Sequence, residues 1–300
     1  MRILTFGQTG QLAKALKRTQ PGYFELIQLT HQQVNITQPQ LINEALARYQ
    51  PDIIINCAAY TDVERAESNA TQVMQTNVDA VRFMAKAARQ YGIRFIQLST
   101  DYVFDGLSSL PYTVHQTPSA INVYGQSKLL AENIILQQQS SQFCIVRTSW
   151  LYHHSGKNFV TTMLKLMSQA HHSAMLTQGL ISNINVVNDQ TGSPTMVDDL
   201  AHFLWKLCLQ KQWLPIYHWS DAGMCTWYEF AKEIQSQAEA LGLIPATITL
   251  TPVTSEQYNS RVKRPTFSVL DTSRSQSILK SKTWQQQLAQ CLYARSLNKD

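Results

Sequence analysis

No two of the five cysteines stand at CxxC spacing, no run of 18 apolar residues occurs, and charged residues make up only 15% of the 300-residue chain. Each shortage excludes something. Cysteines that are odd in number and scattered, as Cys57, Cys144, Cys208, Cys225 and Cys291 are, argue against a disulfide or zinc framework. They are expected as buried thiols in a reducing compartment. Without a long apolar run no membrane span is expected. The opening Met1–Phe6 is too short for a signal peptide and runs into Gly7, so the cytoplasm is the expected location. Lysine and arginine exceed aspartate and glutamate by 25 to 20, and the only basic cluster is Arg261-Val262-Lys263-Arg264. That is too little for a nucleic-acid footprint, and a small anionic ligand suits it better.

What is present is a rhythm. Ile3–Phe6, Phe24–Leu29, Ile53–Asn56, Phe95–Ser99 and Phe143–Arg147 read as strands. Helical patterns alternate with them over Gln11–Thr19, Pro39–Tyr49, Thr71–Tyr91 and Val123–Gln139. The apolar residues of these strands form continuous runs more than they alternate, which implies burial on both faces and hence a parallel sheet. Alternating β and α with right-handed crossovers gives an α/β, doubly wound, Rossmann-type fold. The rhythm loosens after Arg147. Helices are expected at Phe159–Ser168, Met196–Leu209 and Glu229–Leu241, strands at Ile184–Val187 and Ile216–Trp219, and an irregular stretch from Pro245 to Val269. The expected division is a dinucleotide-binding domain over residues 1–150 and a smaller α/β substrate lobe over 151–300, with some strands of the latter returning to the main sheet.

Gly7-Gln8-Thr9-Gly10-Gln11-Leu12-Ala13 follows the first strand directly and opens the first helix. Glycine at 7 permits the tight turn, glycine at 10 lets a diphosphate approach the backbone, and Ala13 is small enough for close helix–strand packing. The phosphates would sit on the helix N-terminus, so Gly7, Thr9, Gly10, Gln11 and Leu12 are expected to contact a dinucleotide. The second strand ends at Thr30, where an NAD-specific site places an acid on the ribose 2′-hydroxyl. With no acid there, NADPH is the preferred cofactor and NADH a possible one. Thr30 or Asn35 is expected near the ribose. The small residues of Asn56-Cys57-Ala58-Ala59-Tyr60-Thr61 let the cofactor pass the third strand.

Tyr124 and Lys128 stand four apart, on one face of a helix beginning near Val123. A carbonyl that accepts a hydride must also receive a proton. A phenol, with an ordinary pKa near ~10, relays one poorly until a cation stabilises its phenolate. Lys128 is the cation, and its ammonium can also bind ribose hydroxyls. Thr100, at the carboxyl end of the fourth strand, can hydrogen-bond the substrate oxygen, with Ser99 as the competing hydroxyl. Asp101 is expected either on sugar hydroxyls or capping a turn, and Asn77 as a brace.

These residues, together with Arg147-Thr148-Ser149-Trp150-Leu151-Tyr152, Asn158-Phe159, Asp189-Gln190-Thr191-Gly192-Ser193-Pro194-Thr195, Tyr217-His218-Trp219-Ser220 and Arg264-Pro265, span nearly the whole chain. In that combination the chain resembles the dTDP-4-dehydrorhamnose reductases, extended members of the short-chain dehydrogenases. The resemblance implies reduction of a nucleotide-linked 4-keto sugar, with Thr100, Tyr124 and Lys128 catalytic. It implies that Gly10, Gln11, Leu12, Ala59, Tyr60 and Thr61 line the cofactor, and that Thr100, Asp101 and Trp150 touch the sugar nucleotide. Arg261 and Arg264 are expected on the substrate's diphosphate. Some members of the family are metal-linked dimers using a glutamate of the first helix. Lys14-Ala15-Leu16 offers none, so no metal and a monomer or weak homodimer are expected. Tyr102 stands where a sugar 4,6-dehydratase would need an acid. Another NAD(P)-dependent sugar-nucleotide epimerase or reductase, or a non-catalytic regulatory subunit similar to the β subunit of methionine adenosyltransferase, is the alternative.

Overall fold

The computed structural model describes residues 1–176, 183–244 and 248–297. Its first half runs β1 (Arg2–Phe6), α1 (Gln11–Arg18), β2 (Glu25–Leu29), α2 (Pro39–Tyr49), β3 (Ile53–Asn56) and the short α3 (Val63–Ala66). Then come α4 (Ala70–Met74), a π-helical turn (Gln75–Asp79), α5 (Ala80–Tyr91), β4 (Arg94–Thr100), α6 (Val123–Leu136) and β5 (Phe143–Thr148). The helix expected over Thr71–Tyr91 is thus continuous but carries that π turn, a local widening that often marks a functional position.

The second half continues with β6 (Leu151–Tyr152), α7 (Phe159–Leu176), β7 (Asn183–Val187), β8 (Thr191–Gly192), β9 (Thr195–Met196) and α8 (Val197–Cys208). It ends with β10 (Ile216–Trp219), β11 (Cys225–Thr226), α9 (Trp227–Ala240), β12 (Thr249–Val253) and α10 (Trp284–Leu297). One expectation is corrected. Of the stretch read as irregular from Pro245 to Val269, residues 245–247 lie outside the described ones, and Thr249–Val253 is a strand paired in parallel with β7. Pro252 hid it from a pattern reading. A proline is tolerated in so small a ribbon because it need not donate to a second neighbour.

The central sheet has six strands in the order β10-β5-β4-β3-β1-β2, every pair parallel. Apolar residues on both sides of each strand require cover on both faces. On one face α2, α5 and α6 bury Ile42, Leu46, Met84, Ala88 and Ile135 against Leu4, Phe6, Ile54 and Phe95. On the other, α1 and α8 bury Leu12, Leu16, Leu200 and Phe203 against Ile3, Ile55, Ile96 and Val146. A separate core built around α7, α9 and α10, with Phe230 and Leu288 at its centre, holds the remaining elements together. All five cysteines are free; four are buried, but Cys57 is only partly covered, an exception to the expectation for the set. No helix among the described residues is long and apolar enough to cross a membrane.

Candidate active site

A parallel sheet presents its strand carboxyl ends, and the helix N-termini that follow them, along one edge. There lies a cleft of about 420 Å³ lined by Gly10, Gln11 and Leu12 at one end and Thr100, Asp101, Tyr124 and Lys128 at the other. A larger depression of about 880 Å³, around Met1, Gln50, Asp52 and Arg94, opens at the opposite edge, where the strands begin. It has no helix N-terminus and no tyrosine–lysine pair among its lining residues, so its size does not make it the site.

The glycine turn is shaped for a bulky anion. Gly7 has φ of 90°, a left-handed value, and a Cβ there would stand 3.1 Å from the Ala58 nitrogen. Gly10 caps α1 with no side chain over the helix end, and a Cβ there would meet nothing within 4 Å. The first turn of α1 holds no acid. The open backbone and the uncapped N–H groups fit a dinucleotide diphosphate. Asn56, whose side-chain oxygen accepts from the Ala58 nitrogen at 3.1 Å, shapes the loop that faces this turn.

The π turn explains Asn77. Its Oδ1 accepts from the Tyr60 nitrogen at 2.8 Å, and its Nδ2 donates to the Tyr60 carbonyl at 3.1 Å and to Ser127 Oγ at 2.9 Å. Ser127 Oγ in turn donates to the Tyr124 carbonyl at 2.7 Å. One buried carboxamide therefore ties the loop after β3 to the first turn of α6. That turn starts at Asn122, whose side chain accepts from the Gly125 nitrogen at 2.8 Å as an N-cap. Gly125 is required as well: a Cβ would sit 2.1 Å from the Tyr102 carbonyl oxygen.

Thr100 lines the cleft together with Tyr124, and its hydroxyl opposes the rise that burial imposes on the phenol's pKa. Its hydroxyl donates to Asp101 Oδ1 at 2.9 Å and accepts from the Tyr102 nitrogen at 3.2 Å. Ser268, from the far end of the chain, donates to Asp101 Oδ2 at 2.6 Å. Burial raises Asp101 to about 6, its hydrogen bonds to Ser268 and Thr100 opposing that rise. Tyr124 is pushed above the usual phenol range by desolvation and then by the Asp101 charge. Lys128 is brought down to about 8 by burial, against the opposing pull of Glu132. The cleft thus holds a phenol that resists ionisation and an ammonium that gives up its proton more readily than a free lysine does.

Beneath Lys128 is a fully buried ion pair. Glu132, one turn farther along α6, accepts from Arg147 Nε at 2.8 Å and from Nη2 at 2.6 Å, each side chain 1% exposed. Arg147 Nη1 also faces His218 Nε2 at 3.3 Å. His218 is lowered to about 3 by burial and then by the Arg147 charge, so it is neutral and its Nε2 is the acceptor.

Of the residues expected at the site, Gly10, Gln11, Leu12, Ala59, Thr61, Thr100, Asp101, Tyr124, Lys128 and Trp150 line the cleft. Gly7, Thr9, Thr30, Asn35, Ala58 and Tyr60 do not line it. Thr30 follows β2 directly, and its Oγ1 accepts from the Gln33 nitrogen at 3.2 Å. The Asn35 oxygen is used by Thr37, at 3.1 Å from its nitrogen and 2.9 Å from its hydroxyl. Arg261 is exposed. Arg264 is partly buried beside the Tyr102 phenol and donates to Glu64 Oε1 at 2.5 Å. The cleft also takes Thr148, Ser149, Lys157 and Asn158, which pattern reading did not single out one by one. Asn158 Nδ2 reaches Gln11 Oε1 at 3.4 Å and so joins the later half of the chain to the glycine turn. Ser99 Oγ and Thr148 Oγ1 are buried along this cleft without a hydrogen-bond partner among the described residues.

Comparison with known proteins agrees with this geometry. The family described as RmlD substrate binding domain matches residues 1–296. The spore coat polysaccharide biosynthesis protein SpsK of Bacillus subtilis is 35% identical over 298 residues, 98% of each chain. The dTDP-4-dehydrorhamnose reductase of Escherichia coli is 34% identical over 285 residues, 92% of this chain and 91% of its own. The crystal structure of dTDP-4-dehydrorhamnose reductase from Bacillus anthracis in complex with NADP superposes with a TM-score of 0.87 at 32% identity, covering 98% of this chain and 99% of that one. With its cleft, its phenol–ammonium pair and relatives of this similarity along its full length, the chain belongs to the dTDP-4-dehydrorhamnose reductase family.

Proposed function

We propose that this protein reduces the 4-keto group of dTDP-4-dehydro-L-rhamnose to give dTDP-L-rhamnose, with NADPH as the preferred and NADH as the second cofactor. The observation that carries the reading is one cleft with a diphosphate-accepting glycine turn at one end and Thr100, Tyr124 and Lys128 at the other, in a chain of this family. A reduced nicotinamide bound between them supplies the hydride. Tyr124 gives the proton that the developing alkoxide takes up at the former carbonyl oxygen. Lys128 stabilises the phenolate left behind, and Thr100, held by Asp101, orients the phenol before transfer. Asp101 and Trp150 contact the sugar nucleotide. The same reading has the enzyme work in the cytoplasm, as a monomer or weak homodimer, without nucleic acid or membrane partners. The test is to mix the purified protein with NADPH and enzymatically made dTDP-4-dehydro-L-rhamnose and follow nicotinamide absorbance and product identity. No loss of absorbance would overturn the reading.

Thr30 is proposed as the reader of the ribose. NADPH should give a kcat/KM at least equal to that with NADH, and Thr30→Asp should shift the preference toward NADH by repelling the 2′-phosphate. Kinetics with both cofactors on both proteins decide it. A wild-type enzyme strongly selective for NADH would assign that choice to another residue.

Arg261 and Arg264 are proposed to hold the substrate's diphosphate, Arg264 by leaving Glu64 for the stronger anion. The double change Arg261→Ala, Arg264→Ala should then raise the sugar-nucleotide KM about tenfold or more while the NADPH Kd stays put. An unchanged KM would return both side chains to solvent and to the Glu64 contact.

A further inference from the structure

Among the described residues Trp150 is the one aromatic side chain lining the cleft apart from Tyr124, and three features constrain it. Its backbone has φ of 46°, a left-handed value that costs a bulky residue on the order of 1–2 kcal/mol. Its indole lies flat on Trp227, with ring centroids 3.4 Å apart and planes 6° from parallel. Aromatic pairs prefer an offset or edge-on arrangement to such a sandwich, so the surroundings must impose it. Trp227 is itself clamped, its Nε1 donating to the buried Gln190 Oε1 at 3.2 Å and its ring meeting Phe159 at 4.6 Å. Finally, the Cε2–Cζ2–Nε1 edge of Trp150 rests on Gly192, where a Cβ would come within 2.6 Å of the ring. Strain of this kind persists where neighbours over-determine a conformation, and it is met most often at ligand sites.

We propose that Trp227 and Gly192 are positioning residues that hold Trp150 as a fixed aromatic wall, against which the sugar of the substrate packs. This rests on the functional reading above and deepens it. A 6-deoxy sugar presents a methyl group and ring C–H bonds that suit an indole face, whereas its hydroxyls seek polar partners such as Asp101. With one face of Trp150 covered by Trp227 and one edge seated on Gly192, the wall is in place before the ligand arrives. Binding then need not order a bulky side chain. Gly192 precedes Ser193, whose carbonyl accepts from Ser149 Oγ at 2.6 Å, so the cradle is tied to the residue next to Trp150 itself.

The test compares wild type, Trp227→Phe, Trp227→Leu and Gly192→Ala by three measurements: calorimetric Kd for dTDP-L-rhamnose, Kd for NADPH, and the exciton couplet of stacked indoles in far-ultraviolet circular dichroism. Trp227→Leu and Gly192→Ala are expected to weaken the sugar nucleotide roughly tenfold with the NADPH Kd unchanged. Trp227→Phe, which keeps a ring beneath Trp150, should stay within about threefold. The couplet should vanish in both Trp227 variants and change in Gly192→Ala, although that variant removes no aromatic group. Nucleotide-sugar affinity within about twofold of wild type in both Trp227→Leu and Gly192→Ala would overturn the proposal, as would parallel loss of NADPH binding in both. Turnover of dTDP-4-dehydro-L-rhamnose by the wild type, measured alongside, reports on the functional reading separately. An active enzyme with indifferent variants sinks the wall alone, and a wild type that neither binds nor reduces the sugar nucleotide sinks both.

Discussion

Turnover by Tyr124→Phe is expected to fall roughly 100- to 10,000-fold, the span usually supplied by a positioned general acid. The loss should appear in kcat, with the NADPH Kd nearly unchanged, because the phenylalanine keeps the ring that packs edge-on against Tyr102 at 6.1 Å. Only the proton-donating hydroxyl is removed. Single-turnover absorbance traces at saturating cofactor measure it. A variant retaining more than about half of wild-type turnover would assign the proton to another group.

The largest effect on stability should come from Glu132→Ala. Arg147 is 1% exposed and cannot lose its proton, so removing Glu132 leaves a cation in the core beside a neutral His218 and the Phe104 ring, with no countercharge among the contacts described. Breaking a buried pair from one side costs about 3–5 kcal/mol. For a chain of this size that is a drop in Tm of roughly 5–8 °C. The paired change Glu132→Leu, Arg147→Met should regain most of it, since apolar replacement of a buried ion pair is often neutral or better. Calorimetric melts of the two proteins check both statements. A single variant that melts within about 2 °C of wild type would mean that water or another group already shares the arginine's charge. Glu132 also raises the Lys128 pKa, so its loss should make the ammonium give up its proton at a lower pH.

These buried partners show where sequence reading stops. The β–α rhythm, the glycine turn and the Tyr124–Lys128 spacing are local, within a few residues of one another, and pattern reading finds them. Asp101 and Ser268 are 167 residues apart, and nothing in either segment announces the other. The Arg147–Glu132 pair reads from sequence as two ordinary polar residues, because only the folded core takes both out of water. Trp150 was legible as a candidate contact through the family resemblance alone. Its left-handed backbone, its partner Trp227 and its seat on Gly192 needed coordinates. Asn77 was half legible: a brace was expected, but the π turn that aims its carboxamide at Tyr60 and Ser127 leaves no mark in residue spacing. Pro252 misled, since a proline in an apolar stretch is a fair sign of a loop and only the small β7–β12 ribbon makes room for it.

The order of the central strands has a consequence for how this chain is made. Strand β10 lies at the sheet edge beside β5, and α8 covers the face that α1 shares, yet both are encoded after residue 196. A nascent chain that has cleared the ribosome only to residue 150 carries β5 with a bare edge. Ile3, Ile55, Ile96 and Val146 then lack half their cover. Unpaired edges and apolar faces of this kind are what trigger factors and holdases bind, and what aggregates when they are scarce. The half of the protein built first is thus finished by a segment that emerges much later. Synthesis must therefore pass Trp219 before β5 gains its outer neighbour and this face of the sheet its second helix.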